Sequence, residues 1–401
     1  MRRMLLACLL ILALGGALPV GAAWAAGQIS DPLVVYEFGQ SVTFSARLQT
    51  DQAVKKAVVF FQAQNDTRTN LGQARVIPNL DGSAQMEYVH PIADYNLPAF
   101  AWVEYRWEVT LEDGQVLRTA ASTFFYRDNR FAWSSLEEPP FHVYWYEGDL
   151  QFAQDVLDAA QQGVIQVQQL IPLPLPTTLD IYIYPDSATM KEALHPNSAD
   201  WVAGHADPDL GVVVAALPTG PDRQLLIQQR IPHELMHILL YQSTNLGYRS
   251  LPTWLNEGLS SLAELYPSSD YQIILEDAVA RDALLPMSSL CQSFPRDASN
   301  AILSYAQSAS FVKYLHGAYG TSGLQELIST YANGLDCERG AQRALGRSLS
   351  QLERSWRGEA LAEDTTAAAA ANLLPWVVLL AAVLAAPLGL VLHRARSRPR
   401  P

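Results

Sequence analysis

Between residues 29 and 130, apolar and polar positions alternate in short runs, at 42–48, 57–61, 85–89 and 102–109. A period of two sends successive side chains to opposite faces of an extended chain, so these runs predict half-buried strands. Asp81-Gly82 and Asp113-Gly114 stand between such runs as tight-turn pairs. About a hundred residues with roughly seven strands predict an all-β immunoglobulin- or fibronectin-like sandwich over residues 28–130. It carries no catalytic constellation and reads as a spacer or as a surface for a protein partner.

The pattern changes after Glu137-Glu138-Pro139-Pro140, which closes an expected linker beginning at Asn129. Residues 141–145 and 179–184 are strand-like, residues 150–170 have helical apolar spacing, and residues 211–217 form a further apolar strand-like run. Beyond them the chain reads as mostly helical to about residue 357. A second domain is therefore expected over residues 140–360.

Both ends read differently. Residues 5–20 are almost wholly apolar, follow Arg2-Arg3 and precede small residues through Ala26, which predicts a secretory signal peptide over 1–26. Residues 373–392 contain no charge, and as a helix they would reach ~30 Å, the thickness of a bilayer core. One transmembrane helix is expected there, after a Thr/Ala-containing linker at 361–372. The tail at 393–401 holds four arginines, so the positive-inside bias puts it in the cytoplasm and the domains outside the cell membrane.

The chain has 27 basic and 40 acidic residues, and six of the basic ones lie in the two ends, leaving 21 against 40. Binding to nucleic acid draws on a cationic surface, so no nucleic-acid partner is expected. Cys291 and Cys337 remain once the leader with Cys8 is removed. Outside the cytoplasm such a pair forms a disulfide or stays as two separate buried thiols, and spacing leaves both open.

Chemistry concentrates at His233-Glu234-Leu235-Met236-His237. Residues four apart share a helix face, so two imidazoles can converge on one ion, and the glutamate beside the first can reach water there. Pro232 requires the helix either to start there or to bend just before His233. A catalytic metal site with three protein ligands needs one more donor, and Glu257, twenty residues after His237 in Trp254-Leu255-Asn256-Glu257-Gly258, is the candidate. Glu264, seven positions on, shares its helix face and is either a hydrogen-bond partner for a ligating histidine or a solvated charge.

With these residues the sequence resembles the gluzincin metallopeptidases, in particular the peptidase MA-like group and the aminopeptidase N family. Leu303-Ser304-Tyr305-Ala306-Gln307-Ser308-Ala309-Ser310 is similar to that family's S-Y-x-x-G-A-S segment. The resemblance covers roughly residues 140 to 335. It implies a thermolysin-like α+β peptidase domain with one Zn2+ held by His233, His237 and Glu257. Glu234 is then general base toward a metal-activated water, Tyr305 donates to the oxyanion, and the substrate is a peptide or protein. Aminopeptidases carry G-x-M-E-N upstream of the zinc helix, where this chain has Gly204-His205-Ala206-Asp207, so the resemblance does not extend to recognition of a free amine. The apolar run 211–216 is the candidate sheet edge for a peptide backbone. A competing expectation is a cell-surface interaction or adhesion protein whose peptidase-like domain is a zinc-stabilised scaffold.

Overall fold

In the computed structural model, which describes residues 27–194 and 204–362 and six further positions between 373 and 383, the period-two pattern is realised as nine strands. These are β1 (Gln28–Glu37), β2 (Ser41–Gln49), β3 (Val54–Ala63), β4 (Asn70–Gln73), β5 (Arg75–Pro78), β6 (Ser83–Pro91), β7 (Ala101–Leu111), β8 (Val116–Arg118) and β9 (Ser122–Tyr126). They form two antiparallel sheets. One has the order β1-β2-β6-β5; the other has the order β4-β3-β7-β8, with β9 also paired to β7. Val42, Phe44, Ala46 and Leu48 from one face of β2 share a core with Val103, Tyr105, Trp107 and Val109 of β7. The Asp-Gly pairs fall between β5 and β6 and between β7 and β8, as tight-turn chemistry requires.

A third, mixed sheet follows, made of β10 (Ser134–Glu138), β11 (Phe141–Trp145), β12 (Leu179–Tyr184), β13 (Gly204–Asp207) and β14 (Val212–Ala216), in the order β10-β11-β12-β14-β13. Strands β11, β12 and β14 are parallel, and the two edges, β10 and β13, run antiparallel to their neighbours. Two expectations change here. Part of the segment read as a linker is strand β10, because Ser134–Glu138 pairs in register with β11. The run read as a sheet edge, β14, lies inside the sheet. Leu210 N–H bonds back to the Asp207 carbonyl at 3.2 Å, and the tight turn folds β13 against its outer side.

Helices α1 (Leu150–Leu170), α2 (Ser187–Leu194), α3 (Arg223–Thr244), α4 (Thr253–Ala263), α5 (Asp270–Ala280), α6 (Ala298–Ala332, broken at Gly320), α7 (Cys337–Leu345) and α8 (Leu349–Glu359) complete the described fold. Leu179, Ile181 and Ile183 of β12 point to a core shared with Val156 and Leu157 of α1 and with Ile227, Ile231, Leu235 and Ile238 of α3. The alternate residues Tyr182 and Tyr184 face the other way, into the core of the N-terminal sheets. Phe100 stacks on Tyr182 with ring centres 3.9 Å apart. Fully buried Asp128 joins the two parts: its Oδ2 accepts from Arg130 Nη2 at 2.8 Å and from the Tyr184 hydroxyl at 2.9 Å, and its Oδ1 accepts from Arg130 Nε at 2.9 Å. Burying such a charge is tolerable because both oxygens are hydrogen-bonded.

Helices α3 to α8 enclose a further core around Trp254, Phe311, Tyr331 and Trp356, each contributing about 1.5–3 kcal/mol by leaving water. Cys291 and Cys337 form a disulfide that backs this core. The Cys291 carbonyl accepts the Thr253 amide at 3.1 Å, and the Trp254 indole N–H lies 3.3 Å from Cys337 Sγ, so the bridge braces the start of α4. The closed loop spans 46 residues. Replacing both cysteines with alanine is expected to lower the unfolding free energy by about 4 kcal/mol, from lost constraint on the unfolded chain. Urea titration at matched protein concentration measures it.

The expected signal peptide lies outside the described residues, as does most of the expected transmembrane segment. The described positions between 373 and 383 are helical, and their apolar side chains, Trp376 and Leu380 among them, are exposed. Among the described residues no helix is long and apolar enough to cross a membrane.

Candidate metal centre

Helix α3 starts well before Pro232 and carries that proline in its interior. Without an N–H, Pro232 leaves the carbonyl one turn back, at Gln228, without its usual helical partner. That carbonyl accepts the Leu265 amide at 3.0 Å. The bond ties α3 to the chain just beyond α4, where Glu264 stands. Glu264 lies past the last residue of α4, and its Oε1 is 3.1 Å from His233 Nδ1. A helix-face neighbour was the expectation; an extended residue anchored by Leu265 is what reaches the histidine.

His237 is oriented by groups the sequence did not mark. Its Nδ1 lies 3.1 Å from Asn256 Oδ1 and 3.2 Å from both the Tyr248 hydroxyl and Ser260 Oγ. Asn256 Nδ2 in turn donates to Tyr248 at 2.9 Å. A proton on Nδ1 satisfies the Asn256 oxygen and leaves Nε2 with its lone pair directed away, the arrangement a metal-ligating imidazole needs.

Both Nε2 atoms face Glu257. Its Oε2 lies 3.4 Å from that of His233 and 3.8 Å from that of His237, and one donor atom from each residue falls within 4.8 Å of the others. Bonds of about 2.0–2.2 Å to a tetrahedral ion separate ligand atoms by about 3.3–3.6 Å. Two imidazoles and a carboxylate at these spacings can hold a divalent cation, and the three residues expected to do so are brought together.

Tyr305 and Glu234 complete the cluster. Gly258 lets α4 approach α6 closely, since a Cβ there would meet Val312 Cγ2 at 2.5 Å and the Ser308 carbonyl oxygen at 2.6 Å. The contact brings Tyr305 of α6 into a hydrogen bond with Glu257, its ring 6.2 Å from that of His233. Glu234 and His233 line a cavity of about 320 Å³ together with Gly204, Arg230, Glu264 and Tyr305. Gly204, first residue of the edge strand β13, lies so near Glu234 that an added Cβ would sit 2.3 Å from its Oε1.

The family pattern of the peptidase MA superfamily matches residues 159–362, just over half of the chain and all of the elements that build this cluster. The chain belongs to the peptidase MA superfamily. A comparison with the curated proteins finds no match. Among solved structures, this superfamily member is similar to OgpA from Akkermansia muciniphila at 15% identity and a TM-score of 0.21. That likeness covers 26% of this chain and 28% of OgpA, so the chain spans under a third of that protein's length. An M1 zinc metallopeptidase from Deinococcus radiodurans, solved as a mutant, is 11% identical with a TM-score of 0.35, covering 82% of this chain and 92% of that one.

The electrostatics of the superfamily member's cluster suit a cation. Burial pushes the Glu234 carboxyl above the usual range, opposed by His237 and His233. Burial disfavours charge on His233, yet hydrogen bonds with Glu257 and Glu264 outweigh it and hold that imidazole well above the ordinary value. For Glu257 burial acts upward, but His237, His233 and Tyr305 together bring it below the usual range. Three buried or nearly buried carboxylates thus surround two imidazoles, an acid-rich pocket whose charge a dication would neutralise.

Proposed function

We propose that the protein is a zinc peptidase that hydrolyses peptide bonds, tethered to the outer face of a cell membrane. The observation that carries this reading is the convergence of the donor atoms of His233, His237 and Glu257, with Glu234 next to His233 in the adjoining cavity. The donor set fits zinc, since two imidazoles and a carboxylate leave one position free at a tetrahedral ion. When bound, zinc supplies a Lewis acid that polarises a carbonyl and acidifies water.

The rest of the reaction belongs to the chain. Glu234, which burial makes a better acceptor than an exposed glutamate, takes a proton from the water that forms the new C–O bond and returns it to the amine that departs as the C–N bond breaks. The Tyr305 hydroxyl turns from Glu257 to donate to the developing oxyanion, a contribution of about 2.7–4 kcal/mol for one well-placed donor. Strand β13 runs past Glu234 and gives an extended peptide backbone a strand to lie along. Where aminopeptidases hold G-x-M-E-N, β13 reads Gly204-His205-Ala206-Asp207. Without that amine-binding segment, the reading is of a peptidase related to the aminopeptidase N family that does not act through recognition of a free amine.

The N-terminal sheets read as an immunoglobulin-like sandwich that carries a protein partner or spaces the site from the membrane. Membrane placement rests on the apolar runs at 5–20 and 373–392 and on the arginine-rich tail. Metal analysis of the full-length protein, paired with a quenched mixed-peptide assay, tests the function. One zinc per chain together with hydrolysis is expected. A protein that holds the ion and cleaves none of the mixture would instead be a zinc-stabilised scaffold for surface interaction.

A further inference from the structure

The cavity beside the metal cluster contains a cation that the reaction above does not use. Arg230 stands one helical turn before Glu234 on α3, so the two share a helix face, and both line the same cavity with Gly204 and Tyr305. Its guanidinium is half-buried and donates through Nη1 to the carbonyl of Ala216, the last residue of β14. Two other arginines of this domain are ion-paired: Arg223 lies 3.3 Å from Asp155 and Arg249 lies 2.6 Å from Asp209. Among the described residues no carboxylate lies within ion-pair distance of Arg230. Glu234 acts on it through its field, without a hydrogen bond.

A half-buried charge without a counter-ion is costly, and burial indeed pulls the Arg230 pKa down. A neutral donor would serve as well for a carbonyl cap at the strand end. What a guanidinium adds is a planar fork whose remaining N–H groups match the two oxygens of a carboxylate. The net charge of the chain is −13, so an acidic ligand gains no general attraction and must be held locally.

We infer that Arg230 is a specificity residue which pairs with a carboxylate of the substrate close to the scissile bond. The inference rests on the peptidase reading and names its substrate class: peptides that are acidic beside the cleavage point. Side chains one helical turn apart lie about 5–6 Å from each other, and an extended peptide advances about 3.3–3.6 Å per residue. The carboxylate therefore belongs to a residue within about two positions of the cleaved bond. It is either an Asp or Glu side chain or the C-terminal carboxylate of a short peptide.

The test uses the full-length, zinc-loaded protein and two matched peptide sets. One set exchanges Glu for Gln at the two positions on each side of a cleaved bond, and the other exchanges a free C-terminus for an amide. The wild-type protein is expected to prefer acid over amide by about ten- to one-hundred-fold in kcat/KM in one set, which identifies the source of the carboxylate. In Arg230→Gln that ratio should fall to about one, with Arg230→Lys intermediate because it keeps the charge but not the fork. Affinity for the same peptides is measured by fluorescence anisotropy in Glu234→Gln, with and without Arg230→Gln, and should show the same ratios without turnover.

A wild-type protein that cleaves no peptide refutes the peptidase reading, and the binding ratios then decide the carboxylate site by themselves. Equal binding of acid and amide peptides overturns the inference. So does an Arg230→Gln protein that loses affinity for both equally, which would mark Arg230 as a brace for β14. Should Arg230→Gln fail to fold, a charge-independent ratio in Arg230→Lys overturns it as well.

Discussion

Glu234→Gln is expected to lower kcat/KM for peptide hydrolysis by about one hundred- to ten-thousand-fold while leaving the bound zinc in place. The amide is isosteric with the carboxylate, so the cavity around the 8%-exposed side chain keeps its shape. Glutamine cannot accept the proton, and nothing else lining the cavity replaces it: Glu264 is engaged by His233, and Glu257 faces the two imidazoles. Kinetics with a quenched peptide, alongside metal analysis of the same preparation, measures both parts. A variant that retains most of the wild-type rate sinks the assignment of Glu234 as base, whatever its metal content.

Gly204→Ala should lower kcat by about one hundred-fold, with zinc content again unchanged. Its Cβ would sit 2.3 Å from Glu234 Oε1 and 2.9 Å from the carboxyl carbon, so either the edge strand or the general base must move. A displacement of about 1 Å at a catalytic group can cost about one hundred-fold in rate. His233, His237 and Glu257 lie elsewhere on α3 and α4, which is why zinc content is expected to be unchanged. A crystal structure of the alanine protein would show which partner moved, and an unchanged kcat would mean that the carboxylate has room the structure does not give it.

How much of this was readable in advance depends on how local each feature is. The spacing of His233 and His237 is a property of a single helix, so it survives whatever the rest of the fold does. Glu257 was reached as the nearby carboxylate of the next helical segment and Tyr305 only by resemblance, because nothing in an unfolded sequence tells which distant helix will pack beside α4. Gly258, which sets the approach of α4 to α6, stands beside Glu257 in the same short segment and could have been read as a close-contact residue. Asn256 was equally visible there, whereas Tyr248 comes from a short 3-10 helix too brief to leave an apolar period in the sequence.

The sheet edge was misjudged for a physical reason. All five residues of β14 are buried, and an unbroken apolar run of that kind marks a strand covered on both faces and flanked by neighbours. The four-residue β13 has no such run, so its place at the margin emerges only from pairing with β14. Strand β10 was hidden similarly: Ser134–Glu138 is polar and mostly exposed, which reads as linker until β11 supplies its hydrogen bonds.

Pro232 has a consequence for any attempt to make the protein more robust. Introducing a strong helix former there would restore one ladder bond inside α3 and look favourable on propensity alone. It would also give the Gln228 oxygen a second suitor, leaving the Leu265 amide to share or lose its acceptor. The imperfection in one helix is thus the hinge pin for the neighbouring one, and a gain in rigidity there would loosen the alignment of His233.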